Sequence, residues 1–82
     1  MVVSQRGFNV EGHTLLAMIS DARNFPWPLD IRIDHQNLGL KMASVVRMKL
    51  FTLDNRLVIR RIGILSEADR DGVLRSLRQL LP

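Results

Sequence analysis

Five cationic side chains, Arg47, Lys49, Arg56, Arg60 and Arg61, fall between positions 47 and 61, where Asp54 is the sole carboxylate. The whole chain carries twelve Lys and Arg against eight Asp and Glu, a net charge of +4. This stretch therefore accounts for the excess, and the remainder is close to neutral. Clustered guanidinium groups suit nucleic acid or an acidic protein partner. A solvated strand face has the same composition, so charge alone does not choose between them. Other chemistries are excluded more sharply. Without cysteine there is no thiol nucleophile, no disulfide and no thiolate zinc site. The chain has no Gly-rich phosphate loop and no G-x-S-x-G elbow. His13 and His35 lack metal-ligand spacing and read as surface or strand-end histidines, and the carboxylates are scattered among turns and a helix start.

The elements that position these groups follow from periodicity. A chain of 82 residues makes one domain and buries only about 60–65% of its unfolded surface, so each core side chain counts. "LDIRID" alternates strictly, with Leu29, Ile31 and Ile33 on one face and Asp30, Arg32 and Asp34 on the other, which predicts a half-buried strand. "SVVRMKLFTL", residues 44–53, sets Val46, Met48 and Leu50 on one face. Arg47 and Lys49 take the other face, which ends in Phe51 and Leu53. "HTLLAMIS", residues 13–20, is an apolar run of strand length, read as a central strand, although periodicity alone leaves helix open. The opening "MVVSQRGF" also reads as a strand, followed by a turn over Gly7 to Gly12. "NFPWP" is an extended loop fixed by its prolines, and a third connection covers His35 to Ala43. Asp54 to Leu57 reads as a turn and Arg60 to Ile64 as a strand.

The C-terminal helix has the clearest signals. Ser66 stands ahead of it with Asp69 three residues on, acidic residues fill its first turns, and Arg75 and Arg78 fill its last. Val73, Leu74, Leu77, Leu80 and Leu81 form a stripe suited to lie on a sheet. The expected fold class is α+β, mostly β: a small curled antiparallel sheet or half-barrel closed by a C-terminal helix. No segment reaches the roughly 20 apolar residues of a membrane span or resembles a secretory signal, so the expected compartment is the cytoplasm and no membrane partner is expected.

The run "SVVRMKLFTLDNRLVIRRIGILSEADRDGVLRSLRQLL" is similar to the C-terminal half of MazF/PemK-type toxins of bacterial type II toxin–antitoxin systems. In that family an S-V-V strand, a T-[VIL]-D turn, a basic R-R-[IL]-G segment and an L-S-x-x-D helix follow in order. Here these are Ser44–Val46, Thr52–Asp54, Arg60–Gly63 and Leu65–Asp69. "VVS" followed by Phe8–Asn9, and "LLAMIS" followed by a proline loop, resemble the second and third strands of the family. The resemblance implies a single domain over residues 1–82 with an SH3-like barrel. It also implies that the family's first strand, its long loop and the Arg-Pro pair ending that loop are missing ahead of residue 1.

The resemblance implies cleavage of single-stranded RNA without metal or cofactor, the ribose 2′-hydroxyl attacking the adjacent phosphorus to leave a 2′,3′-cyclic phosphate and a 5′-hydroxyl. The family's loop arginine is central to that step and is absent from this chain; its assisting Thr or Ser corresponds to Ser20, which by itself reads as a turn former. Arg6 and Arg23 flank the implied site as phosphate ligands. Arg47 and Lys49 fall in the implied RNA groove, and Phe25 and Trp27 are suited to stack bases, or else form a loop over the core or a subunit contact. Because the family forms homodimers and so short a chain lacks core, Phe51, Leu53 and Leu57 are assigned to a dimer interface, and the family's antitoxins imply an acidic, extended partner. The rival readings are a non-catalytic remnant that binds RNA or antitoxin, and an unrelated small interaction domain.

Overall fold

Five consecutive buried residues, Ser44 to Met48, mark the centre of the molecule. A strand buries every residue only where both its faces are covered and both its edges are paired. The structure, a computed structural model, describes residues 1–24 and 26–82. Its elements are α1 (Arg6–Asn9), β1 (His13–Asp21), β2 (Ile31–Ile33), β3 (Ser44–Asp54), a 3₁₀ turn (Asn55–Leu57) and α2 (Glu67–Leu80). The strands form an antiparallel sheet of order β1-β3-β2. This open, three-stranded sheet with a C-terminal helix gives the α+β class expected.

The two faces of β3 do different work. Val46 and Met48 join Ala17, Ile33, Leu38 and Val73 in the core, where Val46 and Val73 are wholly buried. Val45 and Arg47 point to the other face and are buried outside that cluster. One step along β1, from Ala17 to Met18, corresponds to three along β3, from Leu50 to Arg47, so Met48 and Lys49 form a bulge. A bulge bends its strand and sharpens the twist. Here Met48 turns into the core while Lys49 remains exposed.

α2 starts where the sequence places it: Ser66 Oγ accepts from Asp69 N at 3.2 Å. The Asp69 carboxylate accepts from Asp34 N at 2.7 Å, tying the helix start to the end of β2. Gly72 lets the helix close on the sheet, because a Cβ there would lie 3.3 Å from Ile31 Cγ2. The buried stripe is narrower than the apolar spacing predicts. Gly72, Val73 and Ser76 are buried and Leu77 is half-buried, whereas Leu74, Leu80 and Leu81 are exposed, since a three-stranded sheet offers the helix a narrow platform.

Two expected strands do not form. The opening segment makes only an isolated bridge, Val2 to Leu16, with Ala17 N donating to Met1 O and Val3 N to Leu15 O along the outer edge of β1. Arg6–Asn9 then coils into one helical turn. Arg60–Ile64 has strand-like composition but no strand structure. A strand requires lateral hydrogen-bond partners, and the main chain of residues 59–63 makes no such bond among the described residues.

Val46→Ala removes two methyl groups from a fully buried site and is expected to cost about 2 kcal/mol. Ile59→Ala, at a residue 95% exposed, is expected to stay within about 0.5 kcal/mol of the parent. Urea unfolding followed by circular dichroism checks both.

Candidate nucleic-acid interface

The face of the sheet opposite α2 carries Ser20, Arg47 and Lys49 of the polar groups singled out above. In antiparallel pairs, residues directly opposite one another share a face. Ser20 pairs with Val45, and Val45 pairs with Arg32 on its other side, so Ser20 and Arg32 belong to one cross-strand row. Two strand spacings separate their backbones, about 10 Å. The next row sets Met18 opposite Arg47. Ser20 is half-buried at the end of β1, and its Oγ accepts from Asn24 Nδ2 at 2.9 Å. That bond fixes the oxygen and leaves the hydroxyl proton to be donated.

The loop before β2 folds over this face. Arg47 Nε and Nη2 donate to the two oxygens of Asp30 at 3.2 and 3.0 Å, a fork-on-carboxylate pair. Only 9% of the Arg47 side chain and 18% of the Asp30 side chain remain exposed. Donating to the Asp30 carboxylate holds the Arg47 pKa above its ordinary value. The same carboxylate accepts from Trp27 N at 3.2 Å. Lys49 Nζ completes the arrangement, 4.4 Å from the Trp27 ring centroid in cation–π geometry. Arg47 and Asp30 thus pin a loop that presents an indole, 41% exposed, beside an exposed ammonium.

The remaining expected residues are dispersed. Arg23 lies just past β1 with its guanidinium on Asp21 at 2.8 Å, a hydrogen bond that holds the Asp21 carboxyl below the usual range. Arg6 belongs to α1, at the other end of β1: Asn55 Nδ2 donates to Asn9 O at 2.6 Å, and Leu15 N to Ser4 Oγ at 3.0 Å. From Leu15 to Ser20 is about 17 Å of strand, so Arg6 is not brought to Ser20. Phe25 lies outside the described residues. Phe51 and Leu57 are exposed and Leu53 half-buried, at the end of β3 and in the turn after it. The linear basic cluster is divided as well. Arg56 is held by Asp54 at 2.8 Å, and Arg60 and Arg61 lie against the turn at Leu38–Leu40.

Asp21–Arg23 and Asp54–Arg56 are one local motif used twice. In each, a strand-ending aspartate accepts from the main-chain N–H and the guanidinium two residues on. Such Asx turns stop strands. They account for two of the arginines that composition alone offers to a polyanion.

Sequence reading passed over three residues that this face uses. Arg32 looked like one polar position of an alternating strand, and only the pairing of β2 with β3 sets it in the Ser20 row. Asn24 was legible as a polar residue four positions after Ser20. Asp30 carried no signal, since its partners lie on a strand and a loop that meet only in the fold. Among the described residues, no three His, Asp or Glu side chains gather as metal ligands, and no helix is long and apolar enough to cross a membrane.

Over residues 1–81 the chain matches the family model of the PemK-like, MazF-like toxins of type II toxin–antitoxin systems, and it belongs to that family. Membership brings with it an antitoxin as partner. No curated protein matches the chain closely enough to name a relative.

Asp30→Ala removes the acceptor for Arg47 and for Trp27 N together. The expected result is a red-shifted Trp27 emission and stronger iodide quenching of this single tryptophan, with the α2 helical signal retained. An unchanged emission would show that Asp30 does not hold the loop.

Proposed function

We propose that this toxin is an endoribonuclease that takes single-stranded RNA across the face opposite α2 and cuts it without a metal or cofactor. In the reaction the 2′-oxygen bonds to the adjacent phosphorus, the bond from phosphorus to the 5′-oxygen breaks, and the 2′-hydroxyl proton is lost while the leaving oxygen gains one. Ser20 donates its hydroxyl proton as a hydrogen bond to a phosphoryl oxygen, with Asn24 fixing the rotor. Arg32 and Lys49 meet phosphates, contacts that give salt-dependent affinity rather than sequence choice. Trp27 stacks an unpaired base. Arg47 acts through Asp30 by holding the Trp27 loop. The observation that carries this reading is the row in which Ser20 and Arg32 flank Val45, on the face where Trp27 and Lys49 meet.

The functional unit is a homodimer packed through Phe51, Leu53 and Leu57. An acidic, extended antitoxin neutralises it, and both meet in the cytoplasm. A second reading is favoured by one observation: Ser20 has an amide rather than a guanidinium as its hydrogen-bond partner, and the neighbouring Arg23 is engaged by Asp21. On that reading the chain binds RNA or antitoxin without cutting.

Single-stranded RNA incubated with the protein in chelator separates the two. Cleavage to cyclic-phosphate ends that falls about a hundredfold or more in Ser20→Ala supports the nuclease. Binding without cutting supports the second reading. In either case Arg32→Ala is expected to flatten the slope of log K against log salt by about 0.7, one phosphate contact on a single strand, while Arg70→Ala on α2 leaves it unchanged.

A further inference from the structure

Between the 3₁₀ turn and α2, residues 58–65 form no helix, turn or bend. Val58 is extended at φ −79 and ψ 118. Among the described residues, no main-chain N–H from Ile59 to Leu65 makes a hydrogen bond. The side chains are as open as the backbone: Ile59, Ile62 and Ile64 are 95%, 57% and 71% exposed, and Arg60 and Arg61 are exposed with them. The segment is fastened only near its ends. Val58 N donates to Asn55 O, and Asn37 Nδ2 donates to Ile64 O at 3.2 Å. Arg60 and Arg61 lie midway between these anchors.

An open main chain has a chemical consequence. An endoprotease takes its substrate as an extended strand and bonds to its main-chain groups, so a peptide bond inside a helix or a paired strand is cut only after local opening. Here the donors are already free. Of the other ten Lys and Arg, seven lie within α1, α2 or a paired strand. Arg23 and Arg56 are bound into the Asx turns of Asp21 and Asp54, and Lys41 sits in a bend. Among the described residues, Arg60 and Arg61 alone combine an unbent run, unused N–H donors and exposed neighbours on both sides.

We propose that residues 58–64 are a processing site for an endoprotease whose pocket carries a carboxylate for arginine. Hydrolysis falls after Arg60 or Arg61: a water oxygen bonds to the carbonyl carbon of that arginine, the C–N bond to the next residue breaks, and the freed nitrogen takes a proton from the water. Successive side chains of an extended chain point to opposite sides, so the two arginines offer a protease either direction of approach. The place of the cut gives it its effect. It parts the sheet from α2, which supplies the wholly buried Val73. α2 then stays in place only through its core contacts and the bond from Asp34 N to Asp69, interactions that become dependent on concentration once the chain is severed. One cut thereby uncovers the core face of Val46 and Met48 and disarms the folded toxin. The proposal concerns removal of the chain and stands whether or not the chain cuts RNA.

The test exposes the full chain, with no RNA present, to a low ratio of trypsin and separately of subtilisin, which does not require arginine, and follows the fragments by mass spectrometry. Both are expected to cut first within residues 58–64, trypsin after Arg60 or Arg61, at least about tenfold faster than at any other internal bond. Arg60→Gln with Arg61→Gln is expected to slow the first tryptic cut about tenfold and to leave the subtilisin cut in place. Its urea midpoint is expected to match the parent, because both side chains are exposed and outside every ion pair among the described residues. The cut chain is expected to lose the circular dichroism of α2 on dilution to about 1 μM, where the intact chain keeps it. The proposal is overturned if either enzyme cuts first elsewhere, at Lys41 for example, if the double Gln variant is cut by trypsin as fast as the parent, or if the cut chain keeps its helix on dilution.

Discussion

The pairing of β3 along both edges is the constraint on which the rest of the molecule depends. β1 pairs Ser44 to Arg47 on one edge and β2 pairs Ser44 to Val46 on the other, so the buried run is closed from the edges where the three strands overlap, and each face must then be covered. α2 covers the face of Val46 and Met48. The loop leading into β2 covers the face of Val45 and Arg47, fastened by the Asp30 pair. On the proposed function, stability and recognition are thereby assigned to opposite sides of one strand. The apolar side holds the fold, and the polar side positions Ser20, Arg32, Lys49 and Trp27.

The same accounting of main-chain hydrogen bonds explains the two ends of the sheet. β1 receives a partial neighbour from residues 1–3, enough for one bridge. Among the described residues the chain after β3 receives none and stays single from Val58 to Leu65. Electrostatics divides in parallel. Asp21, Asp30 and Asp54 each hold one arginine, so the net positive charge read from the sequence overstates the field at any one place. The exposed cations that matter are Arg32 and Lys49 on one face and Arg60 and Arg61 beside the Leu38 groove, two separate surfaces rather than one trough.

Local patterns were legible where local physics decides. The alternation in residues 29–34 and 44–53, the apolar run at 13–20 and the Ser66 cap each correspond to an element observed, because side-chain period and capping are written within a few residues. What escaped is what pairing decides. Arg60–Ile64 has the composition of a strand but no neighbour to bond with. Arg32 joins Ser20 only through β3. Arg47 looked available to a phosphate until the fold set Asp30 against it. Leu74, Leu80 and Leu81 match the period of a buried stripe and remain exposed, since stripe width is set by the sheet beneath it. The family resemblance was legible from the order of short motifs and holds over residues 1–81; the catalytic standing of Ser20 was not, because a hydroxyl at a strand end serves equally well as a turn former.

The central claim, that the face opposite α2 is the RNA surface, is tested most directly by mapping amide shifts of the labelled protein during titration with a short single-stranded RNA in chelator at low salt. The account predicts that Ser20, Asn24, Arg32, Lys49 and Trp27 move together, while Val73 and Ser76 on the core side of α2 stay fixed. Shifts confined to α2 or to Val58–Ile64, with the Ser20 row unmoved, would contradict it.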